Sequence, residues 1–330
     1  MYYKLYLILA HDKPLQLQAL VSKLNDDHSI FIIHIDKDST ISNFKSIINS
    51  DNVYFLENRL SCIWGNVSIV RATLLLIEFA LNLGKDGHLI LLSGACMPLV
   101  SNAAITNFLS ANKNVNFIDI YKAEQFLDPE ESSRRFFSYT THFRPRLAVS
   151  IKPIHSISSF LYELKRVIKF VLLVVAEERY NELVNLKEFT QKRTSFFSKN
   201  YGGSQWWALT RSTAMAILNH TKNNPEHLNQ YTFTHAPDEI FFQTLVMNLP
   251  EVLKKVAFKP SLTYANWSRK GVHLPVTFKR EDLNELAGAK SENYLFARKF
   301  DIGVDDFFIT ELPIVGHSTE TVTSKPISAS

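Results

Sequence analysis

Glu239 is the residue whose type and setting best suit the removal of a proton. It stands in Pro237-Asp238-Glu239, which reads as the first turn of a helix. There the helix dipole favours the carboxylate form that a general base needs. Two acids at that place also serve simply to cap a helix, and residue type leaves both roles open. Arg298-Lys299 are adjacent cations in the apolar segment Leu295-Phe296-Ala297-Arg298-Lys299-Phe300. Two cations at one point can hold a diphosphate and neutralise it as it departs, without a metal. Taken without context they equally describe a solvated surface pair. Arg269-Lys270 form a second basic pair with the same two readings. Trp64, Trp206 and Trp267 can stack on sugar faces, although a large core residue is the default for tryptophan. Asp36-Lys37-Asp38 spells D-x-D, a spacing that can hold a divalent cation. A pattern this loose recurs by chance, and it falls early in the chain.

These residues lie far apart in sequence, so a scaffold must gather them. Leu5–Leu9 reads as a strand ending at Ala10-His11-Asp12, with Asp12 as N-cap and Pro14 opening a helix through Leu17, Leu20, Val21 and Leu24. A second strand, Ile30–Ile35, ends at Asp36. A short strand at Val53–Phe55 follows, then a helix over Val67–Leu81 and an apolar strand His88–Leu92 ending at Ser93-Gly94. Apolar strands without alternation, separated by helices, predict a parallel sheet covered on both faces. Ligands bind at the carboxyl ends of such strands. His11, Asp12, Asp36, Ser93 and Gly94 all fall there. Residues 111–200 read as an insertion shaping a partner pocket: 128–146 is polar and aromatic, and Ser150–Leu186 looks helical. Arg134, Arg135, Arg144 and Arg146 could meet an anionic acceptor or form a solvated basic surface. Tyr201–Leu209 reads as a turn running into a strand, and Ala236–Leu245 as the opening of a helix. The Ser-, Thr- and Pro-containing tail over 312–330 predicts poor order.

Composition narrows the class. At ~150 residues per domain, 330 residues suggest two lobes or one large α/β domain. Hydrophobic content of 46% against 21% charged excludes global disorder. A net charge of +4 with no basic run argues against nucleic acid as a partner. Cys62 and Cys96 alone cannot build a disulfide framework or a cysteine-based zinc site, which suits reducing cytoplasm. The opening residues do not read as a signal peptide. The apolar run Val167–Ala176 is too short to span a bilayer. With Lys165, Arg166 and Lys169, the 158–176 stretch is read as a buried helix or as one lying on a membrane surface. Phosphate-loop, dinucleotide, nucleophile-elbow and H-E-x-x-H motifs are absent.

Several segments together resemble the core-2/I-branching N-acetylglucosaminyltransferase and peptide O-xylosyltransferase family, glycosyltransferase family 14. They are Leu9–Lys13, His34–Lys37, Ile63-Trp64-Gly65, Leu92–Leu99, Gly203-Ser204-Gln205-Trp206, Pro237-Asp238-Glu239, Asn266-Trp267 and Phe296–Phe300, in the family's order across about residues 3 to 305. The resemblance implies an α/β GT-A-type fold, with a mixed, mostly parallel sheet flanked by helices. It implies a single catalytic domain over 1–311: a nucleotide-binding half (about 1–110), an acceptor-side insertion (about 111–200) and a catalytic half (about 201–311). The activity implied is inverting transfer of GlcNAc or xylose from a UDP-sugar to an acceptor hydroxyl, with no metal and no cofactor beyond that co-substrate. By motif position Glu239 matches the base. Ala10, His11, Asp36, Trp64, Arg298 and Lys299 match the donor site, while Gln205, Trp206, Trp267 and Arg269 fall on the acceptor side.

Two departures stand out. Cys96 and Gln205 occupy positions where the family, or its xylosyltransferase branch, carries an acid, which leaves Glu239 as the lone base. They are also the support for a second reading, a non-catalytic nucleotide- or carbohydrate-binding protein on a transferase scaffold. Animal members carry a membrane anchor, a stem and many cysteines. Without those features here, the expectation is a bacterial, cytoplasmic member, peripheral at the inner membrane, working on glycan or lipid-linked glycan acceptors of surface polysaccharide.

Overall fold

The protein is described here by a computed structural model over residues 1–144 and 147–313. Arg146 and nearly all of the 312–330 tail therefore lie outside the described residues. The apolar segments form strands where expected: β1 (Tyr3–Ala10), β2 (Ser29–Ile35), β3 (Val53–Phe55) and β4 (Gly87–Ser93). These four are parallel neighbours in the order β4-β1-β2-β3. Further strands are β5 (Cys96–Pro98), β6 (Val115–Phe117), β7 (Tyr121–Lys122), β8 (Tyr139–Arg144), β9 (Leu147–Ile151), β10 (Tyr201–Gly202), β11 (Ala208–Thr210), β12 (Ala257–Lys259), β13 (Thr263–Ala265) and β14 (Phe296–Arg298). The main sheet has seven strands in the order β12-β6-β11-β4-β1-β2-β3, with β11 antiparallel to both neighbours.

Both faces of this sheet are covered, which is why its central strands lack polar alternation. Tyr6, Ile8, Phe31 and Ile33 point to one side, packing with Leu17 and Leu20 of the helix Pro14–Leu24 and with Phe296 and Phe300. Leu5, Leu7, Ile30 and Ile32 point to the other, against Val70 and Ile77 of the helix Ser68–Asn82. The mostly parallel α/β architecture agrees with the expected GT-A-type fold.

Three local expectations are corrected. Asp12 does not cap the first helix. Lys13 holds that position with left-handed backbone (φ 52°), and Pro14 opens the helix. Asp12 sits one residue too early to cap. Glu239 does not stand in the first turn of the following helix. Pro237–Glu239 form a separate three-residue 3-10 turn, and Ile240 (φ −131°) breaks the backbone before the helix Phe241–Met247. The dipole of that helix is therefore not aimed along Glu239. Third, 150–186 is not one helical stretch. It comprises the end of β9, the helix Ile157–Ala176 and a 3-10 segment, Tyr180–Thr190.

The insertion has a small core of its own. The β8–β9 hairpin packs Tyr139, Phe143, Val149 and Ile151 against Phe170 and Val174 of the helix Ile157–Ala176 and against Phe189. That core fixes which face of the helix turns inward. The reading of this helix as buried is corrected too: its inward side is covered, while Leu161 and Leu172 on the other side are exposed.

Candidate active site

The site lies where the carboxyl edge of the main sheet meets the small sheet β13-β14-β5. Strand β14 runs antiparallel to β5, pairing Arg298 with Cys96, and parallel to β13, pairing Arg298 with Ala265. This register carries Arg298 inward. Its guanidinium lies 4.5 Å from the centre of the Trp206 ring. Asp238, Glu239 and Cys96 are its electrostatic neighbours. Burial lowers the Arg298 pKa from its usual value, against the opposing pull of Cys96 and the two acids. Trp206 is thus a buried platform under a cation rather than an open stacking face.

Glu239 is reached from two directions. Its backbone carbonyl accepts from Gly203 N–H at 2.9 Å, tying it to the Gly203-Ser204-Gln205-Trp206 segment. Gly203 has no alternative here, because a Cβ would lie 2.0 Å from the Asp119 carbonyl oxygen. Gln205, next but one, is half-buried. From the insertion, Arg135 Nη1 donates to Glu239 Oε2 at 2.9 Å, and Arg135 Nε donates to Glu131 Oε1 at 2.5 Å. Burial lowers the Arg135 pKa, but Glu239 and Glu131 outweigh it and the net shift is upward. The side chain of Glu239 is 29% exposed, and its Oε1 takes no hydrogen bond from the described residues. One oxygen is held and the other is open, a geometry suited to accepting a proton. The adjacent Asp238 is buried, with an unpartnered Oδ1. Burial, then the charge of Glu239, pushes its pKa up to about 7. The two neighbours thus differ in setting, Asp238 enclosed and Glu239 accessible.

Lys299 is the exposed end of the basic pair. Its side chain reaches solvent, and the Arg298–Lys299 peptide is cis. Burial first, then Arg298 and Lys13, lowers its pKa. The nearby Asp301 carboxylate is taken by Lys13, and no described carboxylate pairs with Lys299. Three cations close together with one unpaired ammonium make a place for an anion.

The remaining expected residues divide. Ala10 ends β1, its carbonyl accepts from Asp36 N–H at 2.8 Å, and its Cβ sits 3.2 Å from where a Cβ on Gly94 would stand. The His11 carbonyl accepts from Ser39 Oγ, while its imidazole is 75% exposed. Asp36 is buried, and its carboxylate accepts from the N–H groups of Asp38 (2.9 Å) and Cys62 (2.8 Å). The Asp38 carboxylate accepts from Ser61 Oγ at 2.5 Å. Both acids of the D-x-D are thus engaged in local loop structure. Among the described residues no three His, Cys, Asp or Glu side chains gather as a ligand set. Trp267 is exposed and lies two residues past Ala265, the β-partner of Arg298. Arg269 is held by Asp282 at 2.7 Å and Glu285 at 2.5 Å, so its charge is matched by the 3-10 turn Arg280–Asp282 and the helix Leu283–Ser291.

Trp64 is exposed and meets His235 edge-on, at 5.6 Å between ring centres. His235 stacks on His142 of β8, with Nδ1 and Nε2 3.0 Å apart. Gly65 (φ +78°) lies under this pair, and a Cβ there would come within 3.0 Å of His142 Nε2. That accounts for glycine after Trp64. Burial, then Arg134, pushes both imidazoles down to about 4.

Glu131, His142 and His235 were not anticipated from sequence, and Arg135 only as one of a basic group. Arg135 and Glu239 are 104 positions apart. Only the run Arg134-Arg135 hinted that the insertion might turn toward the site. Arg134 and Arg144 pair with Glu131 and Glu177 at the surface, so the charge of these two arginines is matched there. Two surface hollows, one lined by His220 and Glu251 and the other by Tyr2 and Asp86, share no residue with this cluster.

The chain is similar to named proteins over most of its length. Xylosyltransferase 2 of Mus musculus is 24% identical over 324 residues, covering 91% of this chain and 32% of that protein. Xylosyltransferase 1 of Rattus norvegicus is 23% identical over 318 residues, covering 90% and 33%. The chain thus spans about a third of the length of these curated relatives. A solved Bacillus anthracis structure, named for glucose-1-phosphate thymidylyltransferase, overlaps 70% of this chain and 85% of its own at 10% identity. Its TM-score of 0.28 is too low to carry weight. Residues 5–287 match the family model described as Core-2/I-Branching enzyme, and the chain belongs to that family.

Proposed function

We propose that this chain is an inverting glycosyltransferase that moves a sugar from a UDP-sugar to an acceptor hydroxyl without a metal. The observation that carries this reading is the juxtaposition of an open carboxylate oxygen on Glu239 with the Arg298–Lys299 cation pair, of which Lys299 pairs with no carboxylate among the described residues. Glu239 Oε1 takes the acceptor proton as the acceptor oxygen attacks the anomeric carbon. The bond from that carbon to the diphosphate breaks on the opposite face, and UDP leaves with its charge met by Arg298 and Lys299. One base and one neutralised leaving group suffice for a single displacement, so no second carboxylate nucleophile is needed. Arg135 fixes the carboxylate orientation, and Ala10, His11, Asp36 and Trp64 flank the donor nucleotide. Gln205, Trp267 and Arg269 border the acceptor, a glycan or lipid-linked glycan of surface-polysaccharide synthesis.

The relatives named xylosyltransferase favour xylose as the donor sugar, with GlcNAc the other family choice. The test is UDP release from UDP-xylose, UDP-GlcNAc, UDP-glucose and UDP-galactose in turn, with and without EDTA. EDTA-resistant release from one donor is expected. Loss of release in EDTA, restored by manganese, would refute the metal-free mechanism. UDP binding without release from any donor, even with acceptors supplied, would favour a binding protein.

A further inference from the structure

We propose that the outward face of the helix Ile157–Ala176 docks in the plane of an anionic lipid bilayer. The opposite face is fixed by the insertion's own core, where Phe170 and Val174 are buried. At about 100° per residue, Ile157, Leu161, Ile168, Leu172 and Val175 fall within a stripe about 60° wide. All five are 49–80% exposed. At about 1.5 Å rise per residue the stripe runs about 27 Å. This is too much contiguous apolar surface to leave bare in water. No helix among the described residues is long and apolar enough to cross a membrane.

Charge selects the occupant. Lys165 and Lys169 line one edge of the stripe, are exposed, and have no partner among the described residues. Nearby acids do little to offset them. Glu163 is buried on the inner face and pairs with Arg166, Glu177 pairs with Arg144, and Glu178 lies past the helix end. Long lysine stems can lie on apolar surface while their ammonium groups rise to lipid phosphates. A second copy fits less well. The midpoint of the stripe is near residue 166, so a two-fold pairing of these helices would bring Lys165 of each copy together at the axis. Like charges there repel, whereas an anionic surface attracts both lysines. The apolar face would thus enter the headgroup boundary. A membrane-borne acceptor would then be met at the surface where it resides.

The test uses the full chain and sucrose-loaded vesicles, either phosphatidylcholine alone or an equal mixture with phosphatidylglycerol. Sedimentation should bring the chain down with the anionic vesicles far more than with the neutral ones, and less as salt rises. The triple variant Leu161→Gln/Ile168→Gln/Leu172→Gln should weaken binding by roughly tenfold per residue. Its circular dichroism and UDP affinity should be unchanged, because the three side chains face solvent. Lys165→Ala/Lys169→Ala should lose roughly fivefold per lysine on anionic vesicles and little on neutral ones. This second variant decides the matter if the first misfolds. Absence of binding to both vesicle types, or binding indifferent to these substitutions, would overturn the proposal. So would self-association of the wild type that the triple variant abolishes, which would assign the face to a second copy. None of these outcomes bears on Glu239, so the transferase reading stands or falls separately.

Discussion

Lys299→Ala should separate ligand binding from folding. Lys299 is an exposed residue beside Arg298 and Lys13, with no carboxylate partner among the described residues, and its pKa is depressed by partial desolvation and by those cations. In the free protein its charge is poorly accommodated, so removing it should leave thermal stability unchanged or slightly raised. In the complex it would face a diphosphate. A hydrogen bond to a charged group contributes about 1.5–3 kcal/mol, and partial exposure favours the lower figure. UDP should therefore bind about 10- to 30-fold more weakly. Arg298→Ala should behave differently. That cation is half-buried over Trp206 and neighbours Asp238 and Glu239. Losing it removes the contact with the Trp206 ring and a favourable neighbour of the two acids, at roughly 1–2 kcal/mol of stability. Calorimetric titration with UDP and thermal melts of both variants read these effects together. The pH dependence adds a check. A diphosphate would raise the depressed Lys299 pKa, so binding takes up proton and wild-type affinity falls as pH rises through the free-state value. Lys299→Ala should flatten that slope. Unchanged UDP affinity in Lys299→Ala would refute its role at the diphosphate.

Other consequences are open to measurement. Arg135→Ala should lower turnover by roughly 10- to 100-fold with little change in UDP affinity, because it orients Glu239 and is not assigned to the donor. Arg135→Lys should recover part of that loss, and an unaffected turnover would reduce the contact to a structural tie. His142 and His235 are held near 4 in the fold, against about 6.5 unfolded. Their contribution to stability is present above the unfolded value and lost as pH falls through 6 toward 4, on the order of 2 kcal/mol each after allowance for solvent. Melting temperatures between pH 7 and 4.5 should fall less steeply in His142→Gln than in wild type.

What the sequence reveals here follows from how locally each feature is determined. Strands β1, β2 and β4 are legible because a doubly covered strand must be apolar along its whole length. The sheet edge was locatable because His11, Asp36 and Gly94 follow those strands directly. The partners of Glu239 were not. Its support comes from Arg135, on a π-helical turn just before β8, and no local pattern encodes a contact across 104 positions. The helix-dipole argument for Glu239 failed for a local reason. Ile240 breaks the backbone between its turn and the next helix, and side-chain type does not announce that break. Trp206 shows a second limit. A tryptophan beside a Gly-Ser turn reads by default as core, and only the fold reveals Arg298 lying over its ring.

The most direct measurement is a comparison of wild type with Glu239→Gln, using the donor that releases UDP most readily. The variant keeps the shape of the side chain and its contact with Arg135 but cannot take a proton. The account predicts a fall in kcat of ~10²–10⁴-fold, with UDP affinity nearly unchanged. Wild-type turnover by Glu239→Gln would remove this residue from the mechanism and contradict the account at its centre.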